Sequence, residues 1–245
     1  GFGNKNQNQD ADLVAATLSK QAAAPVMLEF SRRDDWLGVH GRWPTVQHYK
    51  IGAKNDGTVT AIQMFGYSGM GPYRKNSGGI SGMDVYACPN RLRSISAVYT
   101  NRTTSGNFRA PSEPHGFYGV ESMMDEVAYK LGVDPVEFAL KNMRRPTDDQ
   151  PFTNYSLEEV ITRGAEQFDW ASRRKTTPGS DEGPIKRGSG FSFMMFRAGV
   201  GTSSAIVRVD AQRQYTLFVG VTDIGPGAKT TMGMIAAEEL GVPLD

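Results

Sequence analysis

Cysteine is almost missing from this sequence: Cys88 stands alone among 245 residues. A lone cysteine excludes an internal disulfide. It also excludes an iron–sulfur cluster held by the chain's own thiolates, because such clusters need several. Cys88 lies in the turn-like run Ala87-Cys88-Pro89-Asn90 with no histidine beside it, which favours a structural thiol over a nucleophile. Histidine is scarce too. His40, His48 and His115 have no metal-ligand spacing among them, and His48 falls in a strand-like run. An excess of either charge sign is lacking, since 27 Lys and Arg oppose 26 Asp and Glu, for a formal net charge of +1. That balance gives no electrostatic case for nucleic acid or an anionic membrane as partner. No apolar run is long enough to span a bilayer. A Gly-x-Ser-x-Gly elbow, a phosphate-loop signature and an ordered Ser/His/Asp set are absent as well.

What is present suits a globular chain of one large domain or two smaller ones, with 39% hydrophobic and 22% charged residues. Asp10 to Ala23 carries apolar residues at helical spacing, and Pro25 opens a strand-like run over Val26 to Phe30. Gln47 to Ala53 and Thr58 to Tyr67 read as strands joined through the hairpin signal Asn55-Asp56-Gly57. Arg93 to Thr100 alternates like a further strand. Helical spacing then runs from Phe117 to Leu131, with Gly132 as the stop. Asp134-Pro135-Val136-Glu137 and Ser156-Leu157-Glu158-Glu159 each read as a capped helix start. From Ala171 to Arg187 the composition turns to Ser, Thr, Pro, Gly and charge, the best candidate connection. Its basic run Arg173-Arg174-Lys175 reads as a solvated linker. Strand-like stretches at Gly190 to Phe196, Ala205 to Val209 and Tyr215 to Val221 precede a helix over Thr230 to Leu240. The class expected is α+β, with mixed sheets and packed helices.

Three glycine-bearing turns stand out: Gly1-Phe2-Gly3, Gly106-Asn107-Phe108-Arg109 and Asp223-Ile224-Gly225-Pro226-Gly227. Glycine lets backbone N–H groups approach a ligand closely, and a following helix adds a partly positive terminus. The first and third turns precede helical patterns. Taken one at a time, each is equally a plain connection: Phe2 a core aromatic, Arg109 a surface cation, Gly225 and Gly227 turn residues.

Taken in order, these turns resemble a known family. Phe2-Gly3-Asn4-Lys5 is similar to the Gly-Phe-Gly-Gly-Lys turn of the molybdenum hydroxylases, the xanthine dehydrogenase/aldehyde oxidase family, with Asn4 in place of a glycine. Gly106-Asn107-Phe108-Arg109-Ala110-Pro111 resembles the family's arginine turn. Gly119 to Glu126, Gly132 to Pro135 and Lys141-Asn142 look like the helices that follow it. Asp223-Ile224-Gly225-Pro226-Gly227, with Ile235 to Val242, resembles the second cofactor loop and its helix, Pro226 being a departure.

The resemblance covers essentially the whole chain. It implies part of a larger molybdopterin-binding subunit: a first portion over 1–170, a linker over 171–187, and the start of a second portion over 188–245. By the resemblance Gly1, Phe2, Gly3, Phe108, Arg109, Gly225, Pro226 and Gly227 hold a molybdenum-pyranopterin, as the simple molybdopterin or its dinucleotide form, and Phe193 faces a planar substrate. Pro226 has no N–H to offer, so contacts there come from its neighbours or its carbonyl. No direct metal ligand and no catalytic base is expected in this chain. The family's base is a Glu in a Gly-Glu-x-Pro turn with no equivalent here, and Glu113 is not assigned to it. The implied activity is hydroxylation of an N-heterocycle or aldehyde with oxygen drawn from water, in the cytoplasm. The implied partners are the remaining part of the molybdenum subunit, an iron–sulfur subunit and an FAD subunit. Asn6, where purine hydroxylases carry Glu, and Ser77-Gly78, where they carry a substrate-orienting Arg, point away from xanthine itself. The alternatives are a selenium-dependent or carbon monoxide-type relative, a non-catalytic pterin- or nucleotide-binding module, and a scaffold domain.

Overall fold

The computed structural model describes residues 10–73, 78–147, 155–175, 177, 180–196, 201–223 and 225–244. Those residues form an α+β arrangement with one mixed sheet and one hairpin. They divide into two compact units. One comprises Gly1–Arg42, Gly106–Arg109 and Arg197–Asp245; the other comprises Trp43–Ser105 and Ala110–Phe196.

The second of these units is built on strands β1 (Thr45–Ala53), β2 (Val59–Gly71) and β3 (Asn90–Tyr99). β1 pairs antiparallel with β2, and β2 pairs parallel with β3. The Asn55-Asp56-Gly57 turn joins β1 to β2 as expected, with Gly57 at φ +84°, a conformation that favours glycine. From Ile62 to Met70 every second residue of β2 is buried, the two-residue period of a strand with one face on a core. Helix α3 (Glu113–Leu131) covers that core. It buries Phe117, Val120, Met124 and Ala128, which share one stripe at helical spacing.

The expected ends at Gly132 and Asp134 are real, whereas the cap expected from the Ser156 side chain is not made. Gly132 caps α3 in the left-handed region at φ +69°. Asp134 accepts from the N–H groups of Val136 and Glu137 to open α4 (Pro135–Asn142). α5 (Leu157–Phe168) starts after Ser156, whose side chain makes no cap bond. Asn142, buried at the end of α4, ties that helix to the hairpin. Its amide donates to Gly57 O and Phe138 O, and its Oδ1 accepts from Val59 N.

Four further sequence expectations change. Val26 to Phe30 is not a strand; instead α2 (Arg32–Gly38) follows, opened by a capping box between Ser31 and Asp34. Gly190 to Phe196 alternates in burial but has no ladder partner among the described residues. The start of the expected linker is helical, as α6 (Trp170–Arg173). The basic run there is engaged, too: Arg174 pairs with Asp134 at 2.6 Å, both side chains largely buried, and Lys175 pairs with Asp181.

The first unit holds α1 (Asp10–Ala22), α2, the hairpin β4 (Ala205–Val209) and β5 (Tyr215–Val219), and α7 (Ala228–Leu240). Its described elements bury few side chains, and Ile206, Val209, Phe218 and Met234 are exposed. Among the described residues no helix is long and apolar enough to cross a membrane.

Candidate functional site

Two of the three glycine turns, Gly106–Arg109 and Gly225-Pro226-Gly227, fall in the same compact unit. Gly1, Phe2 and Gly3, with Asn4, Asn6, Ser77 and Ile224, lie outside the described residues.

The loop before α7 is shaped by its first residue. The Asp223 carboxylate accepts from Gly225 N at 2.8 Å and from Gly227 N at 3.3 Å. The backbone turns because both glycines adopt positive φ, +119° at Gly225 and +84° at Gly227. The N–H groups from Gly225 and Gly227, with that from Lys229, hold the Asp223 carboxyl below the usual carboxylate range. Pro226 has no N–H to add, and in this conformation its glycine neighbours already give theirs to Asp223. No atom lies within 4 Å of where a Gly227 Cβ would sit. The turn is therefore an open strip of bare backbone at the start of a 13-residue helix. Once Asp223 shares or releases those N–H groups, this strip and an exposed arginine fit an oxygen-rich, anionic organic cofactor.

That arginine is Arg109, exposed beside the half-exposed Phe108. Their loop is organised by Arg42, a residue that sequence reasoning did not single out. The Arg42 guanidinium lies 5.2 Å from the centre of the Phe108 ring and donates to Arg109 O. Gly106 N donates to Gly41 O at 2.9 Å, fastening the loop to the same segment. A donor 67 positions upstream leaves no local signal.

Phe193 belongs to the other unit and is 8% exposed. It packs edge-on to Tyr86 at 5.4 Å and stacks on Phe191 at 6.1 Å, which meets Trp170 at 6.3 Å. Behind it lies Glu121, a second residue that sequence reasoning missed. Its Oε1 accepts from the Tyr86 hydroxyl at 2.6 Å and its Oε2 from Phe193 N at 3.1 Å. Burial pushes the Glu121 carboxyl up to about 7, against the lowering pull of those two hydrogen bonds. Burial also raises the Tyr86 hydroxyl well above its usual value. A groove of about 430 Å³ opens beside this cluster in the same unit, lined by Phe168, Trp170, Phe191 and Phe193 among others.

Gly78 lies against the Trp43 ring, where a Cβ would come within 2.3 Å of ring carbon. No larger side chain fits at 78 unless Trp43 moves. Cys88 is buried and donates to Asn90 O at 3.2 Å, a structural role. Among the described residues no group of three or more His, Cys, Asp or Glu side chains is placed to hold a metal ion.

The comparisons with known proteins agree with one another. A family described as the molybdopterin cofactor-binding domain matches residues 1–143, and a second family of that description matches residues 163–245. The putative xanthine dehydrogenase molybdenum-binding subunit XdhA of Escherichia coli is 32% identical over 260 residues; the match takes in 100% of this chain and 34% of that protein. The aldehyde oxidoreductase molybdenum-binding subunit PaoC of the same organism is 30% identical over 249 residues, with the same two shares. Among solved structures, the aldehyde oxidoreductase from Desulfovibrio gigas superposes with a TM-score of 0.76 at 24% identity, over 97% of this chain and 27% of that one. Quinoline 2-oxidoreductase from Pseudomonas putida 86 gives 0.75 at 22% identity, over 100% and 35%. These two show the fold. The chain thus spans about a third of the length of the curated relatives it matches, and it belongs to the molybdopterin cofactor-binding domain family.

Proposed function

We propose that this chain cradles the molybdenum-pyranopterin of an oxidoreductase that hydroxylates an N-heterocycle or an aldehyde with oxygen from water. The observation that carries this reading is the pairing, in one compact unit, of the bare-backbone turn at Gly225-Pro226-Gly227 with the loop bearing Phe108 and Arg109. The names of the relatives, a xanthine dehydrogenase and an aldehyde oxidoreductase subunit, support the reaction class.

Gly1, Phe2 and Gly3, with Phe108, Arg109 and the 225–227 turn, are the residues we assign to holding the cofactor. When bound, the group supplies a two-electron redox centre and Lewis-acid activation of water. The chain's own part is to bind and orient it: Arg109 offers fixed positive charge, and the glycines permit close backbone approach. Phe193 is assigned to the wall of a planar substrate's site, which suits its rigid seat between Tyr86 and Phe191. Glu121 is not assigned as the base, because both its oxygens are engaged inside the core. The base, the iron–sulfur clusters and FAD belong to the rest of the subunit and to an iron–sulfur and an FAD partner, all in the cytoplasm. Within the chain we take 1–170 and 188–245 as parts of two cofactor-binding portions joined by 171–187.

Turnover of a panel of N-heterocycles and aldehydes by the assembled enzyme in ¹⁸O-labelled water tests this. The expected product carries the label in its new hydroxyl or carboxyl oxygen, and none when only dioxygen is labelled. Label from dioxygen would overturn the reaction class. No turnover of either substrate class, with all partners present, would leave a pterin-binding module without catalysis.

A further inference from the structure

The segment Gly190 to Phe196 alternates inward and outward like a strand, with Phe191, Phe193 and Met195 turned toward the core and Ser192, Met194 and Phe196 exposed. A strand normally earns that order from ladder bonds, and among the described residues this segment has no ladder. Its buried backbone N–H at Phe193 goes instead to a side chain, the Glu121 carboxylate on α3 at 3.1 Å. The other oxygen of the same carboxylate is held by Tyr86, which leads out of the 3-10 turn Met83–Val85. One buried carboxylate therefore bridges three parts of the fold that are far apart in sequence. Its place in the cluster is closed on the remaining sides by Phe193 against Tyr86 and Phe191.

We propose that Glu121 is the positioning residue of the 190–196 segment: its carboxylate binds the segment's buried backbone N–H and so fixes Phe193. That Phe193 in turn meets substrate rests on the function proposed above. The charged and titratable groups near this carboxylate are Tyr86, its hydrogen-bond partner, and Asp125 on the next turn of α3, which Arg174 offsets.

The bond is specific enough to test by substitution. Glu121→Met keeps the volume and removes both acceptors. Glu121→Gln keeps an oxygen for Phe193 N and an amide that can donate to the Tyr86 oxygen. The measurement is residue-resolved amide exchange on the complete assembled enzyme, followed by steady-state kinetics with a planar heterocycle. In the wild type the Phe193 amide exchanges at least about tenfold more slowly than those of the exposed Ser192 and Met194. Glu121→Met speeds Phe193 exchange by about ten- to a hundredfold, as leaving a buried N–H donor without its acceptor implies. Glu121→Gln restores protection to near the wild-type level. If Glu121→Met does not fold, the wild-type exchange pattern and Glu121→Gln still decide. A Phe193 amide as fast as its neighbours, or unchanged in Glu121→Met, overturns the proposal.

Kinetics separate this claim from the function beneath it. With Phe193 at the substrate, Glu121→Met raises KM about tenfold while kcat moves much less, and Glu121→Gln rescues KM. Faster exchange with an unchanged KM supports the positioning role and removes Phe193 from the substrate site.

Discussion

Gly116→Ala is expected to destabilise the protein by roughly 3 kcal/mol or more, the upper end of what overpacking a tight contact costs. Gly116 lies in the first turns of α3, where the helix rests directly on the backbone at Ser81. A Cβ there would sit 2.1 Å from Ser81 O and 2.6 Å from Ser81 N. Both are main-chain atoms with no rotamer to change, so α3 or the 79–82 segment must move as a body. That segment is otherwise fastened to the helix start. Ser81 N donates to Ser112 O, the Ser81 and Ser112 hydroxyls lie 2.7 Å apart, and His115 Nε2 meets Gly79 O at 2.8 Å. A shift here reaches Val120 and Glu121 on the next turn of α3, and so the cluster around Phe193. Gly164→Ala on the exposed side of α5 is the matched control, since nothing lies within 4 Å of its added Cβ. It should stabilise by up to about 1 kcal/mol through helix propensity alone. Thermal unfolding of the two variants beside the wild type checks this, with a fall of several degrees for Gly116→Ala. Equal behaviour of the two would refute the close approach of α3 to Ser81.

The second large effect is on pH. The Glu121 carboxyl ordinarily titrates at 4.5 and is pushed by burial to about 7 in the folded protein. Between those values the folded state holds a proton that the unfolded chain has released. Its contribution to stability is full below about 4.5 and is lost as pH rises through 7, about 3 kcal/mol in all. Glu121→Gln removes the titration but keeps the hydrogen-bond geometry. The wild-type minus Gln difference in stability should therefore fall by that amount from pH 4 to pH 8. Taking the difference cancels groups that do not interact with Glu121; its coupling to Asp125 stays in the difference and acts in the same direction. Denaturant unfolding across that range is the measurement. A flat difference, or one that rises with pH, would mean that Glu121 stays ionised inside the fold.

Both effects reside in residues that the sequence did not mark, and the reason is physical. Local rules found what local forces determine. Asn55-Asp56-Gly57 turns the hairpin, Gly132 stops α3, and Asp134 caps α4, each through bonds to residues a few positions away. The same rules contained α2, since Ser31 and Asp34 cap each other at the expected spacing, but a short helix bearing no buried residue has no apolar period to reveal it. The alternation at Gly190 to Phe196 was legible, yet a period of two reports which side chains turn inward and not what the backbone bonds to. The Phe193 N–H goes to a carboxylate 72 positions away on α3. Arg42 and Arg174 escaped for the same reason, as their partners are remote in sequence.

Of the cofactor turns, the motif order carried more information than any residue taken singly. The structure adds Asp223, whose carboxylate holds the N–H groups of Gly225 and Gly227. For a ligand to take those donors, Asp223 must share or release them. That makes the 223–227 turn a loop held in shape by its own acid.

The most direct test of the cofactor reading is the metal content of the protein carrying this chain, purified with its partners from its native host. Roughly one molybdenum per copy of the chain is expected, as for a site of definite stoichiometry, with a pterin released on denaturation. No molybdenum and no pterin, in a preparation with its partners present and the cofactor pathway intact, would contradict the cofactor reading.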